Sequence, residues 1–430
     1  MLALQALTPE RLAAEVPEVT LAEARKLVAQ VFRGEPIHAS SVVRRSAADA
    51  VRSCGSVPTL DVVAESASAI DPFVKYLLAS REPSSDASRQ PSSEARERFE
   101  AVRIPLEVPG RFTVCVSSQV GCALACAFCA TGRMGLRRNL AAWEIVEQVR
   151  IARARLANHR VDRGDVAPRD AHPLADRRDT SRRDADPRDA RIGRVHGVVF
   201  QGMGEPLANL DNVLQAIAVM TDPCALGIDA RAITVCTAGL PSGIRRLARE
   251  APNVRLGLSV SSAIVAHRKR VMPIADKHDF DDVIAACEEH ARVTGHAPMW
   301  AVTLLAGVND SDDDARALAE RARAFHAATG KRPRITLLDY NPIGDEVVRD
   351  AGDPSDVRDA DVRDAGASGS VMRDARDAPD ASGLVRDPFT RSSRLGAFRD
   401  VLSAAGLASH RRYSGGSDVA AACGQLAATS

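Results

Sequence analysis

The sequence predicts an α/β chain: a partial (β/α)6 barrel preceded by a small helical region. Three observations carry this. Six short β-branched runs alternate with helical periods from Val114 onward, a loop bearing three cysteines follows the first run, and two Arg-Asp-rich segments break the rhythm. Alternating β and α units imply a parallel sheet covered by helices. In such sheets active residues gather beyond the carboxyl ends of the strands. The three-cysteine loop falls there.

Taken in order, the first ~80 residues read as helical. Thr20-x-x-Glu23 is a capping-box signature, followed by Leu27, Val28 and Val31 on one face. Phe73, Val74, Leu77 and Leu78 form a second apolar stripe. Residues 1–82 are therefore expected as a helical accessory domain, 83–99 as a linker or hairpin tip, and 100–426 as the core. Expected strands are Thr113–Ser117, Val195–Phe200, Ile233–Cys236, Val254–Val260, Met299–Leu305 and Arg334–Leu338. Amphipathic helices lie between them, marked by Ile145/Val146/Val149, Val213/Ile217/Met220, Val283/Ile284/Cys287 and Leu318/Ala322/Phe325. The last is capped by Ser311 with Asp314 three residues on. Segments 159–192 and 345–387 repeat Arg-Asp-Ala and Val-Arg-Asp units with few large apolar residues. Such composition cannot offset the entropy of ordering, so both are expected as disordered insertions.

Composition narrows the class. The 430 residues include 45% hydrophobic but only 3% aromatic side chains, and the formal net charge is +1. No global field draws the chain to nucleic acid, so RNA contact needs a local patch. Nine cysteines, an odd number, do not form a disulfide framework and fit a reducing cytosol. With no secretory leader pattern and no run of ~20 apolar residues, a cytoplasmic protein without membrane contact is expected.

Cys122, Cys126 and Cys129 are spaced C-x3-C-x2-C. Three thiolates on one loop can hold three irons of a 4Fe–4S cluster and leave the fourth open to a substrate; electron carriers ordinarily use four cysteines. Zinc is the alternative, but it calls for a second Cys or His pair, and none stands nearby. After the next strand comes Gln201-Gly-Met-Gly-Glu-Pro206. Glu205 could there accept hydrogen bonds from an ammonium, with Gly204 letting a ligand approach. A glutamate that merely opens a helix is the competing reading.

Together these stretches resemble one family. Cys115-Val-Ser-Ser-Gln-Val-Gly-Cys122 through Cys129, Thr131-Gly, Arg138-Asn-Leu140, Gly202-Met-Gly-Glu-Pro206 and Ala421-Ala-Cys423-Gly-Gln-Leu426 look like the RlmN family of radical S-adenosylmethionine (SAM) enzymes. The resemblance runs from about Glu100 to Leu426. It implies a TIM-like radical SAM barrel that methylates carbon 2 of adenine in 23S ribosomal RNA and, in some members, transfer RNA. It implies that Cys122, Cys126 and Cys129 ligate the cluster and that SAM binds at its open iron. Cys423 would carry the methyl group as S-methylcysteine, and the 5′-deoxyadenosyl radical would take a hydrogen from it. Glu100 would be the proton acceptor. Cys115 would form a transient disulfide with Cys423 to release product. Idle buried cysteines and an ordinary glutamate are the competing readings.

The resemblance also implies SAM contacts at Gly204, Glu205, Cys236, Ser259, Val260, Ser261 and Asn341. Cys236 stands where the family usually has serine, and Ser259-Val-Ser261 where it commonly has Ser-Leu-His. A core position is an equal reading for Cys236. Cys54, Cys224 and Cys287 read as structural. Arg133, Arg137 and Arg138, and the run His267–Arg270, are candidates for RNA phosphates or for solvated faces. The implied partners are RNA and an electron donor such as flavodoxin or ferredoxin, with the chain a monomer. Carbon-8 methylation, another RNA, and an iron–sulfur or zinc RNA-binding protein without turnover are the rival readings.

Overall fold

The computed structural model describes residues 1–80, 97–158, 193–343, 346–347, 384–385 and 387–427. The expected insertion at 159–192, most of that at 345–387, and residues 83–96 of the expected linker lie outside the described residues.

Ten strands form one sheet in which spatial order follows chain order. They are β1 (Leu60–Ala67), β2 (Val74–Ser80), β3 (Arg98–Pro105), β4 (Arg111–Val116), β5 (Arg194–Phe200), β6 (Ile233–Thr237), β7 (Arg255–Ser259), β8 (Met299–Leu304), β9 (Arg334–Asp339) and β10 (Ser409–Arg412). β1 through β4 pair antiparallel. From β4 to β10 every pairing is parallel. The expected strands are β4 to β9. β10 adds a seventh parallel strand that the sequence pattern did not reveal.

The amino-terminal expectation needs correction. Helices α1 (Pro9–Glu15), α2 (Leu21–Arg33) and α3 (Arg45–Cys54) form, but the helical part ends at Cys54. Residues 60–80 are two strands that extend the barrel sheet. The stripe Val74, Leu77, Leu78 lies on β2, where six successive residues are buried. With both faces covered, a strand has no alternation to distinguish it from a buried helix. Arg98 and Phe99, placed in the linker, begin β3.

Local chemistry explains the helix starts. The Thr20–Glu23 capping box opens α2. Glu23 also accepts from the Arg44 N–H (3.0 Å) and Arg44 Nε (2.8 Å), which seats α3 against α2. Arg44 holds the Glu23 carboxyl far below the usual carboxylate range. These helices share a small core around Leu12, Leu27, Val31 and Val51, against which Cys54 and Cys224 pack.

The parallel strands are covered by α4 (Ala142–Asn158), α5 (Leu210–Thr221), α6 (Pro241–Glu250), α7 (Val265–Val271), α8 (Phe280–Thr294), α9 (Asp312–Thr329) and α10 (Leu395–Ala404). Their apolar stripes, including Val149, Ile217, Cys287 and Phe325, are buried in the main core. Trp300 on β8 is fully buried and meets Phe325 of α9 edge-on, ring centroids 5.3 Å apart. Among the described residues no helix is long and apolar enough to cross a membrane. Trp300→Ala should cost about 3–5 kcal/mol, measured by urea unfolding, because α9 cannot collapse onto so large a void.

Candidate active site

The three-cysteine loop leaves a short hairpin (Gln119–Gly121 with Leu136–Asn139) and enters a helical turn at Ala130–Arg133. Gly121 has φ +75°, and a Cβ there would overlap the Gly135 carbonyl oxygen. That same oxygen accepts the Cys122 N–H (2.9 Å). Only glycine closes the loop this way. Ala127 N–H donates to the Val271 carbonyl (3.0 Å), fixing the loop to α7.

Burial pushes the Cys122 thiol up to about 12 and the Cys126 thiol well above the usual range, and Cys129 also rises. The sulfurs are near enough for negative charge on one to disfavour it on the next. Such thiols ionise only when a cation takes the proton's place. In a cluster each thiolate sits at a separate iron, so these three cysteines would hold three irons of a 4Fe–4S group.

Glu205 stands beside this loop, 4% exposed. Its Oε1 accepts the Leu207 N–H (3.0 Å), its Oε2 the Ala238 N–H (2.8 Å), and its own N–H donates to Gln119 Oε1 (2.8 Å). Burial raises the carboxyl to about 7 against the pull of those N–H donors. The Thr237 side chain is a further hydrogen-bond partner of this carboxylate. Gly204, at φ +96°, lies so close to Gln119 that a side chain would clash.

Cys115 on β4 and Cys423 near the carboxyl end line one cavity of about 60 Å³, together with Cys129, Gln201 and Arg412. Burial pushes Cys115 up to about 12. Cys423 N–H donates to Ser414 Oγ (2.9 Å), and Asn341 Nδ2 donates to Ser414 Oγ (3.1 Å) and the Cys423 carbonyl (3.4 Å). Asn341 thus holds the Cys423 loop in this conformation. Beyond Cys423, the Ala130 N–H reaches the Gly424 carbonyl (2.8 Å) and Thr131 Oγ1 the Leu426 carbonyl (2.5 Å). The chain's last turn is therefore docked on the cluster loop. All nine cysteines are free thiols, so the Cys115–Cys423 disulfide implied by the resemblance is not formed in this structure.

Glu100 is fully buried on β3, outside the cavity wall. Lys75 Nζ lies 3.0 Å from its Oε1, and the Ala427 N–H donates to Oε2 (3.0 Å). Lys75 escaped the sequence reading because it sits inside an apolar run. Arg412 escaped it too. Its guanidinium donates to Gln201 Oε1 (2.8 Å) and feels Cys115, Cys236 and Cys423. A cation enclosed among thiols leaves no periodic trace in a sequence.

The remaining expected contacts are dispersed. Cys236 is buried in the main core, its Sγ 3.9 Å from Gln201 Oε1. Ser259 ends β7 and Val260 and Ser261 follow it, but the Ser259 and Val260 carbonyls are taken by Arg268 and the Ser261 carbonyl by Asn309. In the basic run at 267–270, Lys269 and Arg270 are exposed while Arg268 is buried and His267 half-buried. His267 bonds Asp314, Lys269 pairs with Asp276, and Arg268 is buried over the Phe280 ring. Arg138 is occupied by Glu97 and Glu144, and Arg133 lies 3.8 Å from Asp387. Arg137 and Arg270 are exposed.

No family model matches the chain. It is 50% identical to a probable RNA methyltransferase of Sorangium cellulosum (strain So ce56), over 97% of this chain and 90% of the relative. It is 34% identical to the dual-specificity RNA methyltransferase RlmN of Desulfotalea psychrophila, over 76% of this chain and 71% of the relative. The chain belongs to the RlmN family of RNA methyltransferases. The crystal structure of a radical SAM methyltransferase from Sphaerobacter thermophilus superposes with a TM-score of 0.69 at 28% identity, covering 100% of both chains. This RlmN-family protein is accordingly a SAM-dependent RNA methyltransferase of the radical type, whose cofactors are a 4Fe–4S cluster and SAM. Gly121→Ala should reduce reconstituted iron and sulfide to below about a third of wild type, with the far-UV spectrum kept, since strain at that φ falls on the cluster loop.

Proposed function

We propose that this protein methylates carbon 2 of adenine in 23S ribosomal RNA, transfer RNA being the second substrate to assay. The observation that carries the reading is the single cavity shared by Cys115, Cys129 and Cys423. A carrier thiol must sit next to both the cofactor and a second thiol, and here a cluster cysteine and two others meet.

When bound, held by Cys122, Cys126 and Cys129, the cluster and SAM supply the methyl group and the one-electron chemistry. Glu205, Gly204, Cys236, Ser259–Ser261 and Asn341 would line the SAM site. Cys423 accepts the methyl group on sulfur and, once a hydrogen has been removed from it, bonds that carbon to the adenine ring. Glu100 takes the proton from carbon 2, with Lys75 orienting its carboxylate, and the one electron left on the ring would return to the bound cluster. The Cys115 sulfur then attacks the Cys423 sulfur as its thiol proton passes to the departing methylene carbon. The sulfur–carbon bond breaks, the methylated base leaves, and a Cys115–Cys423 disulfide forms for reduction. The Ala427 N–H now on Glu100 must withdraw first, so the carboxyl-terminal turn moves during the cycle. A polar displacement at this electron-poor carbon is disfavoured, which explains the need for a covalent carrier. The protein would act as a cytoplasmic monomer fed by a flavodoxin or ferredoxin.

Nucleoside mass spectrometry of ribosomal and transfer RNA decides the matter, in a bacterial host lacking its own adenine carbon-2 methyltransferase. 2-Methyladenosine should appear with this protein and vanish with Cys423→Ala, while the cluster absorbance stays. 8-Methyladenosine would overturn the position assigned. Product surviving Cys423→Ala would overturn the carrier.

A further inference from the structure

The segment that bears Cys423 is held by the cluster loop, by Asn341 and by Glu100, and also from one further direction. There it meets the turn joining β1 to β2, some 350 residues earlier. Asp71 Oδ2 accepts both the Tyr413 hydroxyl (2.8 Å) and the Gly416 N–H (2.9 Å). Asp418 accepts the Ser68 hydroxyl (2.7 Å) through Oδ1 and the Ala69 N–H (2.8 Å) through Oδ2. Phe73 meets the Tyr413 ring edge-on, centroids 6.2 Å apart.

The turn itself is braced. Ser68 N–H reaches the Phe73 carbonyl (3.0 Å), and Asp71 Oδ1 accepts the Phe73 N–H (3.2 Å). Gly416 passes the constraint onward, its carbonyl accepting the Ala421 N–H (2.8 Å) two residues before Cys423. Gly415 lies so close that a Cβ there would come within 2.5 Å of Asp71 Oδ2.

We infer that the β1–β2 turn is a clasp that positions the Cys423 loop for methyl transfer, with Asp71 and Asp418 as its positioning residues. The inference rests on the carrier reading of Cys423 above. The clasp is formed by an antiparallel extension that contributes no cluster ligand. Its four polar bonds leave Cys423 itself free, so the loop can be released at its carboxyl-terminal side while its amino-terminal side stays anchored. That division suits a thiol that must swing between two reaction partners without being lost from the cavity.

The test compares the cluster-loaded full-length Asp71→Ala/Asp418→Ala protein with wild type. Amide exchange over residues 414–427 should quicken about tenfold, the scale of a few lost hydrogen bonds. Turnover on unmodified 23S ribosomal RNA should lose about tenfold in kcat with KM for SAM and RNA unchanged, because orientation and not binding is affected. Asp418→Asn, whose one amide oxygen can accept the Ala69 N–H but not the Ser68 hydroxyl as well, should quicken exchange by less than the double variant. Unchanged exchange, or faster exchange with unchanged kcat, would overturn the clasp. Should the double variant lose its cluster absorbance, Tyr413→Phe decides in its place, with about threefold faster exchange expected and wild-type exchange counting against the clasp. Cys423→Ala, run alongside, separates the two ideas. Product from that variant would sink the carrier reading whatever the exchange data say.

Discussion

A parallel barrel must end its strands somewhere, and the backbone beyond each end carries carbonyls with no neighbour to pair with. Here one buried guanidinium takes that role. Arg268 of α7 donates to the carbonyls of Ala238, after β6, and of Ser259 and Val260, after β7. It lies 4.8 Å from the centre of the Phe280 ring, and burial lowers it to about 10. Through α7 the same residue supports the cluster loop, whose Ala127 hydrogen-bonds Val271. Glu205 accepts the Ala238 N–H on the opposite side of the same peptide stretch. The strand ends, the carboxylate and the cysteine loop are thereby referenced to one another through a single planar cation. A lysine could not span three carbonyls in this geometry.

The active centre proposed above draws on distant parts of the chain. β4 brings Cys115, the loop after the short hairpin brings the cluster thiols, and the carboxyl-terminal turn closes over them. β3 and β2 contribute Glu100 and Lys75 from an antiparallel extension that a plain barrel would lack. Small residues make this closure possible, because Ala421, Ala422 and Gly424 let backbone meet backbone at the cluster loop.

The parts legible in the sequence are those with a repeating or motif signal. β4 to β9 announced themselves by β-branched runs, α2 and α9 by their capping boxes, and the cluster loop by its spacing. β2 stayed hidden because both its faces are buried, and β10, Ser-His-Arg-Arg, because it joins the sheet by backbone bonds with almost no apolar content. Lys75, Arg412 and Arg268 were missed or misread for a shared reason. A charged side chain announces surface in a sequence, yet each of these is drawn inward by a partner that only the fold supplies. The basic run at 267–270 shows the same effect in reverse, since His267, Arg268 and Lys269 already meet Asp314, strand-end carbonyls and Asp276, leaving Arg270 exposed.

One small ladder has a practical consequence. Glu346–Val347 pairs antiparallel with Leu384–Val385, and just beyond it Asp387 accepts the Tyr340 hydroxyl (2.7 Å) and the Ile343 N–H (3.0 Å). The chain therefore leaves and re-enters the barrel through a gate only one strand spacing wide, about 5 Å. The enzyme consequently has a built-in port where a reporter or affinity domain with adjacent termini can be grafted between the two ends of this ladder.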